Sequence, residues 1–366
     1  MGKNRVKQIH DFGQSIWLDF IDRKIMDSGD LKRLIEEDGV RGITSNPAIF
    51  EKAISSSDDY KDDIAKLTEK EWSNEAIFYG VAVDDIKRAA DMLKPLYEES
   101  EGGDGYVSLE VSPHLARNTE GTAQQAFELW KTVRKENVMI KIPGTTEGLI
   151  AIRRATREGI NVNVTLLFGL HRYEEVTDAY ISGLEDRLKN NQPIDHVASV
   201  ASFFLSRIDV MVDPMLAEKG LGHLKGEVAI ASAKKAYEIY QRVFTSDRFK
   251  KLEDKGAKPQ RLLWASTGSK DPAFSDVKYV EALIGADTVD TIPIETLEAF
   301  RDHGVAASTL EKGLDHATKV LEDIKHAGID IDAVTQQLEE EGIEKFNKPY
   351  DKLMEAIGNQ KKKIKE

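Results

Sequence analysis

The chain has 366 residues, a formal net charge of −13 and no cysteine. That length suits one (β/α) barrel with insertions, and the missing thiols exclude disulfides, thiolate nucleophiles, zinc–cysteine sites and iron–sulfur clusters. The acidity argues against a nucleic-acid partner but permits a small phosphorylated one at a local basic cluster. No apolar run nears the roughly 20 residues of a bilayer span. The opening "MGKNRVKQIHDFGQSIW" lacks an export signal, so a cytoplasmic protein is expected.

Taken in order, short β-rich runs alternate with longer helical stretches. "SIWLDF" (15–20) precedes a helix near 28–37, and "RGITSN" (41–46) precedes helices to about 96. "GYVSLEV" (105–111) leads into 119–136, "VMIKIP" (138–143) into 146–158, and "INVNVTLL" (160–167) into 169–189. "HVASVASFF" (196–204) precedes helices to about 247, "RLLWAST" (261–267) precedes 275–284, and "DTVDTIP" (287–293) precedes the last helices. Such alternation implies a parallel sheet coated by helices, and about eight units without a long linker favour closure into a (β/α)8 TIM barrel. The expected organisation is one domain over 1–366. Additional helices lie at about 55–96 and about 306–360, as coats on the barrel.

Chemistry in such a barrel collects where the strands end. The strand ends here carry Asp19, then Thr44, Ser45 and Asn46, then Glu110, Lys141, Asn163 with Thr165, Ser202 with Ser206 and Arg207, and finally Ser266 and Lys270. Each has a plain structural alternative. Asp19 can pair with Arg23, and Glu110 with Lys141 as a buried salt bridge. Stability alone explains a buried pair poorly, because desolvation offsets most of its attraction.

An amine held in an apolar strand is partly desolvated, which lowers its pKa and frees it as a nucleophile. Condensed with a ketone, it forms an iminium that draws electrons from a neighbouring carbon–carbon bond. Carboxylates such as Asp19 and Glu110 suit the proton transfers that follow. Asn and Thr side chains orient hydroxyls and water, and Arg207, Ser266 and Lys270 suit a phosphate at the rim. The histidines show no metal-ligand spacing, so no metal is expected. "GLGHLKG" (220–226) has the wrong spacing for a dinucleotide fingerprint. Trp17, Trp130 and Trp264 fall on core patterns, with Trp264 also a candidate for the pocket wall.

Together, "TSNPAIF" (44–50), "MIKIPGTTEGLIAIRRATREGINVNVTLLF" (139–168), "SLEVSP" (108–113), "SFFLSRID" (202–209) and "LLWASTGSKDP" (262–272) resemble the transaldolase family in its longer bacterial form. The resemblance runs nearly end to end. It implies a metal- and cofactor-free Schiff-base enzyme of the pentose phosphate pathway. Such an enzyme moves a dihydroxyacetone unit from sedoheptulose 7-phosphate to glyceraldehyde 3-phosphate, giving erythrose 4-phosphate and fructose 6-phosphate. It implies small sugar-phosphate partners and a monomer or homodimer. Lys141 resembles the Schiff-base lysine, Asp19 the acid/base at the cleaved hydroxyl, and Glu110 with Thr165 the pair that handles water. Asn46, Asn163 and Ser202 resemble groups holding the dihydroxyacetone hydroxyls, and Arg207 a phosphate-binding arginine. Where some relatives carry an arginine after the seventh-strand serine, this chain has Thr267 and Gly268, with Lys270 as the nearby charge. Two rival readings share much of this pattern: cleavage of fructose 6-phosphate without transfer, and a non-catalytic phosphosugar-binding barrel.

Overall fold

A computed structural model describes residues 4–365. Eight parallel strands close into a barrel in sequence order: β1 (Gln14–Leu18), β2 (Gly42–Ile43), β3 (Tyr106–Glu110), β4 (Val138–Pro143), β5 (Val162–Leu167), β6 (Ser199–Phe204), β7 (Arg261–Ala265) and β8 (Thr288–Ile292). β1 pairs with β8 to complete the ring. The expected (β/α)8 class is therefore found. Strands covered on both faces need apolar residues at nearly every position, and "VMIKIP" is buried throughout. The second strand is shorter than its sequence suggests: the Thr44 amide still donates to the Leu18 carbonyl at 2.9 Å, but the Ser45 carbonyl already turns to Lys141 and Asn46 caps the next helix.

Between β2 and β3 lie helices Pro47–Ser56, Lys61–Glu69 and Asn74–Glu99. The last of these packs on β3 and on helix Thr119–Val133, as a barrel helix does. We read the first two as the true addition, with the chain as one domain. Among the described residues no helix is long and apolar enough to cross a membrane.

Two close approaches set the top of the barrel. Helix Thr146–Arg157 is capped by Thr145, whose hydroxyl accepts from Gly148 N at 3.0 Å. A Cβ at Gly148 would lie 1.9 Å from the Pro143 carbonyl oxygen. Glycine there lets the helix start directly against the end of the lysine strand. The 35-residue helix Ile331–Lys365 returns along Pro47–Ser56 and crosses the C-terminal end of β5. A Cβ at Gly342 would already meet Leu166 at 3.0 Å.

Candidate active site

The C-terminal strand ends surround a cavity of about 200 Å³. Asp19, Asn46, Lys141, Thr165, Ser202, Arg207, Ser266 and Lys270 line it. Larger grooves of about 640 and 730 Å³ lie among the outer helices, but none of the expected residues lines them. Glu110 and Asn163 sit just behind the wall, on either side of Lys141. Register explains this: Lys141 pairs with Glu110 across one edge of β4 and with Asn163 across the other.

Lys141 is buried, and its Nζ donates to the Ser45 carbonyl at 2.9 Å and lies 3.3 Å from Glu110 Oε2. Neither Glu110 oxygen has an ordinary hydrogen-bond partner, nor does the buried Thr165 hydroxyl. Burial pushes the Glu110 carboxyl above its usual range, with the Lys141 charge opposing. Asp19 is half-buried and is also raised by desolvation, against the pull of Lys141, the Thr44 hydrogen bond and Lys270. The Thr44 hydroxyl donates to Asp19 Oδ1 at 2.7 Å and lies 2.6 Å from Thr291 Oγ1. Arg23 does not pair with Asp19; it is taken by Asp63 at 2.7 Å and Asp85 at 2.9 Å. Asp19 is thus left to face the cavity.

Asn163 departs from its expected place. Its amide donates to Ser108 Oγ at 3.0 Å and accepts from Ser202 Oγ at 2.7 Å. Both ends are engaged one layer below the cavity wall, so it meets the cavity only through Ser202. Asn46 lines the cavity, and its Oδ1 caps helix Pro47–Ser56 by accepting from Ile49 N at 3.0 Å. Trp264 is not on the wall: it lies on the outer face of β7, edge-on to Phe203, and donates to the Leu283 carbonyl.

Arg207 is half-buried, and its Nη1 has no hydrogen-bond partner. Burial lowers its pKa, the direction expected when no carboxylate answers the charge. Among the described residues neither Arg207 nor the exposed Lys270 forms an ion pair. Beside Arg207 the Ser266 hydroxyl lies 2.9 Å from that of Ser206. Ser266 has φ +55°, and Leu166, just after Thr165, also has φ +55°. A left-handed backbone costs a residue with a side chain roughly 1–2 kcal/mol. At Leu166 it accompanies a bulge between β5 and β6. Bulges re-aim side chains near active sites, and here the bulge adjoins Thr165.

The cavity thus brings together a buried amine, two carboxyls raised by burial and two cations without ion-pair partners among the described residues. A model of the transaldolase/fructose-6-phosphate aldolase family covers residues 16–357. The chain belongs to the transaldolase/fructose-6-phosphate aldolase family. A protein of Trichodesmium erythraeum named transaldolase is 46% identical over 377 residues, with 100% of this chain and 99% of the relative covered. Transaldolases of Thiobacillus denitrificans (44% identical; 97% of this chain, 100% of the relative) and Saccharopolyspora erythraea (45%; 98% of each) align equally fully. Sequence reasoning missed four contributors to the site of this family member: the Ser45 carbonyl, Ser108, Thr291 and Phe346. Strand alternation contained the signal for Ser108 and Thr291. Nothing local pointed to Phe346, which arrives on the C-terminal helix.

Proposed function

We propose that Lys141 carries the transaldolase reaction of the pentose phosphate pathway that this chain's family and full-length relatives support. The observation that carries the assignment is the Lys141 amine, buried on a polar cavity and 3.3 Å from a carboxyl raised by burial. The free amine adds to the ketose carbonyl, and loss of water leaves an iminium. Glu110 is within reach to exchange a proton with the nitrogen. Its partnerless oxygens and the partnerless Thr165 hydroxyl are the groups that would hold the water lost and later regained, since buried polar atoms normally have a partner.

Asp19 takes the proton from the hydroxyl beside the breaking bond, and the bond electrons move into the iminium. The aldehyde departs, leaving a three-carbon enamine on Lys141. An acceptor aldehyde then adds at the enamine carbon, Asp19 returns its proton to the new oxygen, and water releases the product ketose. Asn46 and Ser202 would hold the fragment's hydroxyls, with Asn163 fixing Ser202 from below. Arg207, Lys270 and Ser266 would hold the phosphate, where remote binding energy still supports the chemical step. The test is intact and peptide mass after borohydride reduction with fructose 6-phosphate. A dihydroxyacetone-sized addition on Lys141 is expected; an adduct on another lysine would overturn the assignment.

A further inference from the structure

The cavity wall is built from strand ends and the loops that follow them, with one exception. Phe346 comes from the C-terminal helix, far away in sequence. The residue is 7% exposed, and Lys141 Nζ lies 6.0 Å from the ring centroid. It continues an aromatic wall: Phe346 to Phe204 is 6.5 Å between centroids, and Phe204 to Phe168 is 5.2 Å.

The helix that carries Phe346 is fastened on both sides of it. On one side Gly342 seats against Leu166 and Phe168. On the other, Tyr350 donates to Glu75 at 2.5 Å, His114 pairs with Asp351 at 2.7 Å, and Asn74 donates to the Met354 carbonyl at 3.0 Å. The ring is therefore held in place before substrate arrives. Burial explains the position of an aromatic ring in general. It does not explain a ring placed over the one buried amine of a cavity otherwise rich in hydroxyls, amides and charges.

We propose that Phe346 is a specificity-determining residue that keeps bulk solvent, and the proton it would deliver, from the enamine carbon on Lys141, so that the fragment is transferred rather than released. The inference rests on the Schiff-base reading of Lys141. After cleavage the enamine has two fates. Its carbon attacks an acceptor aldehyde, forming a carbon–carbon bond while the aldehyde oxygen takes a proton. Alternatively, the carbon itself takes a proton and becomes an iminium. Water then adds at the iminium carbon, the Lys141 amine leaves, and dihydroxyacetone is free. The water held by Glu110 and Thr165 would serve both routes, so the second is set apart by the proton its enamine carbon must receive. An apolar ring 6.0 Å from the nitrogen fills space that solvent would otherwise take and offers the fragment no proton, and its face tolerates the cationic iminium of both routes.

The test measures two rates on the same enzyme with fructose 6-phosphate as donor. One is transfer to erythrose 4-phosphate; the other is dihydroxyacetone release without acceptor. Phe346→Ala should raise release relative to transfer by about tenfold, and Phe346→Leu by less. A loss of folded protein lowers both rates together and leaves their ratio alone, and Phe346→Leu keeps the test available should the alanine variant misfold. An unchanged ratio in a variant that still gives the reduced three-carbon adduct on Lys141 would overturn this proposal alone. Absence of that adduct in the unmodified enzyme would overturn the Lys141 reading and this proposal with it.

Discussion

The two ends of the barrel both bury charge, and they treat it in opposite ways. At the N-terminal end Asp104 accepts from Arg41 at 2.6 Å, Ser15 at 2.8 Å, Arg261 at 3.0 Å and Trp17 at 3.3 Å. Burial works to raise its pKa, but Arg261 and Arg41 outweigh it and hold the carboxyl below the usual range. At the C-terminal end Glu110 has only the lysine at 3.3 Å, and burial wins. A saturated carboxylate is a fastener, because every lone pair is spent. A carboxyl left short of partners holds its proton more tightly than usual and keeps oxygens to offer. The same carboxyl group is thus a fastener at one mouth and, in the proposed reaction, a proton carrier at the other.

The sharpest way to break this contrast is to remove the amine. Lys141→Met should abolish the borohydride-trapped adduct and lower transfer by at least roughly 10⁴-fold, the scale of losing a covalent nucleophile. Thermal unfolding should show a fold that remains intact. Substantial residual transfer would place the nucleophile elsewhere.

The next effect is at Asp19. Asp19→Ala should still condense with substrate, because the amine and Glu110 remain. Carbon–carbon cleavage should fall by roughly 10²–10⁴-fold, the usual share of a general acid or base. The reduced adduct should then carry the mass of the whole ketose phosphate. A three-carbon adduct formed at the normal rate would show that Asp19 is not the cleavage base.

These predictions rest on residues legible from the sequence, and the reason is geometric. A barrel strand places its last inward residue at the mouth, so Asp19, Lys141 and Thr165 followed from alternation and from where each apolar run stopped. Ser45 was noted as a strand-end residue, but its part in the site is its backbone carbonyl, whose direction depends on the turn that ends β2 early. Phe346 depends on the path of the last helix, which packing against Pro47–Ser56 and Asn74–Glu99 decides and no local pattern encodes. Asn163 was placed on the correct strand and face. Its depth was not legible, because that depends on Ser108 and Ser202 taking both ends of its amide.

At the other mouth the expected effect is on stability alone. Asp104→Asn leaves Arg41 and Arg261, each about one-fifth exposed, without their carboxylate. Breaking such a pair from one side should cost about 3 kcal/mol, read as a lower urea midpoint, with transfer per folded molecule unchanged. The pH dependence follows from the depressed carboxyl. Its contribution is present above the unfolded value of 3.8 and is lost as pH falls below it. The difference between wild type and Asp104→Asn should therefore shrink in acid. A large loss of activity in folded Asp104→Asn would mean that the two mouths are coupled.

Asp290 tests the contrast most finely, because it resembles the chemical mouth but does not belong to it. It follows Val289 and precedes Thr291 on β8, and Thr291 lines the cavity, so Asp290 faces the opposite side of the strand. Neither of its oxygens has a partner of ordinary geometry, and the nearby Thr267 hydroxyl donates to the Thr291 carbonyl. Burial pushes its pKa from 3.8 up to about 8. The unfolded chain releases this proton near pH 4, while the native protein keeps it to about pH 8. Stability therefore falls as pH rises through that window and levels off above it. Asp290→Asn cannot ionise, so its melting temperature should match wild type near pH 4 and exceed it by several degrees near pH 9. Transfer near neutral pH should stay within about twofold of wild type, because the residue faces away from the cavity. That result would show that scarcity of partners marks a reactive carboxyl only when the group also meets the cavity. A tenfold or greater loss of transfer in a folded Asp290→Asn would instead tie the outer face of β8 to the site.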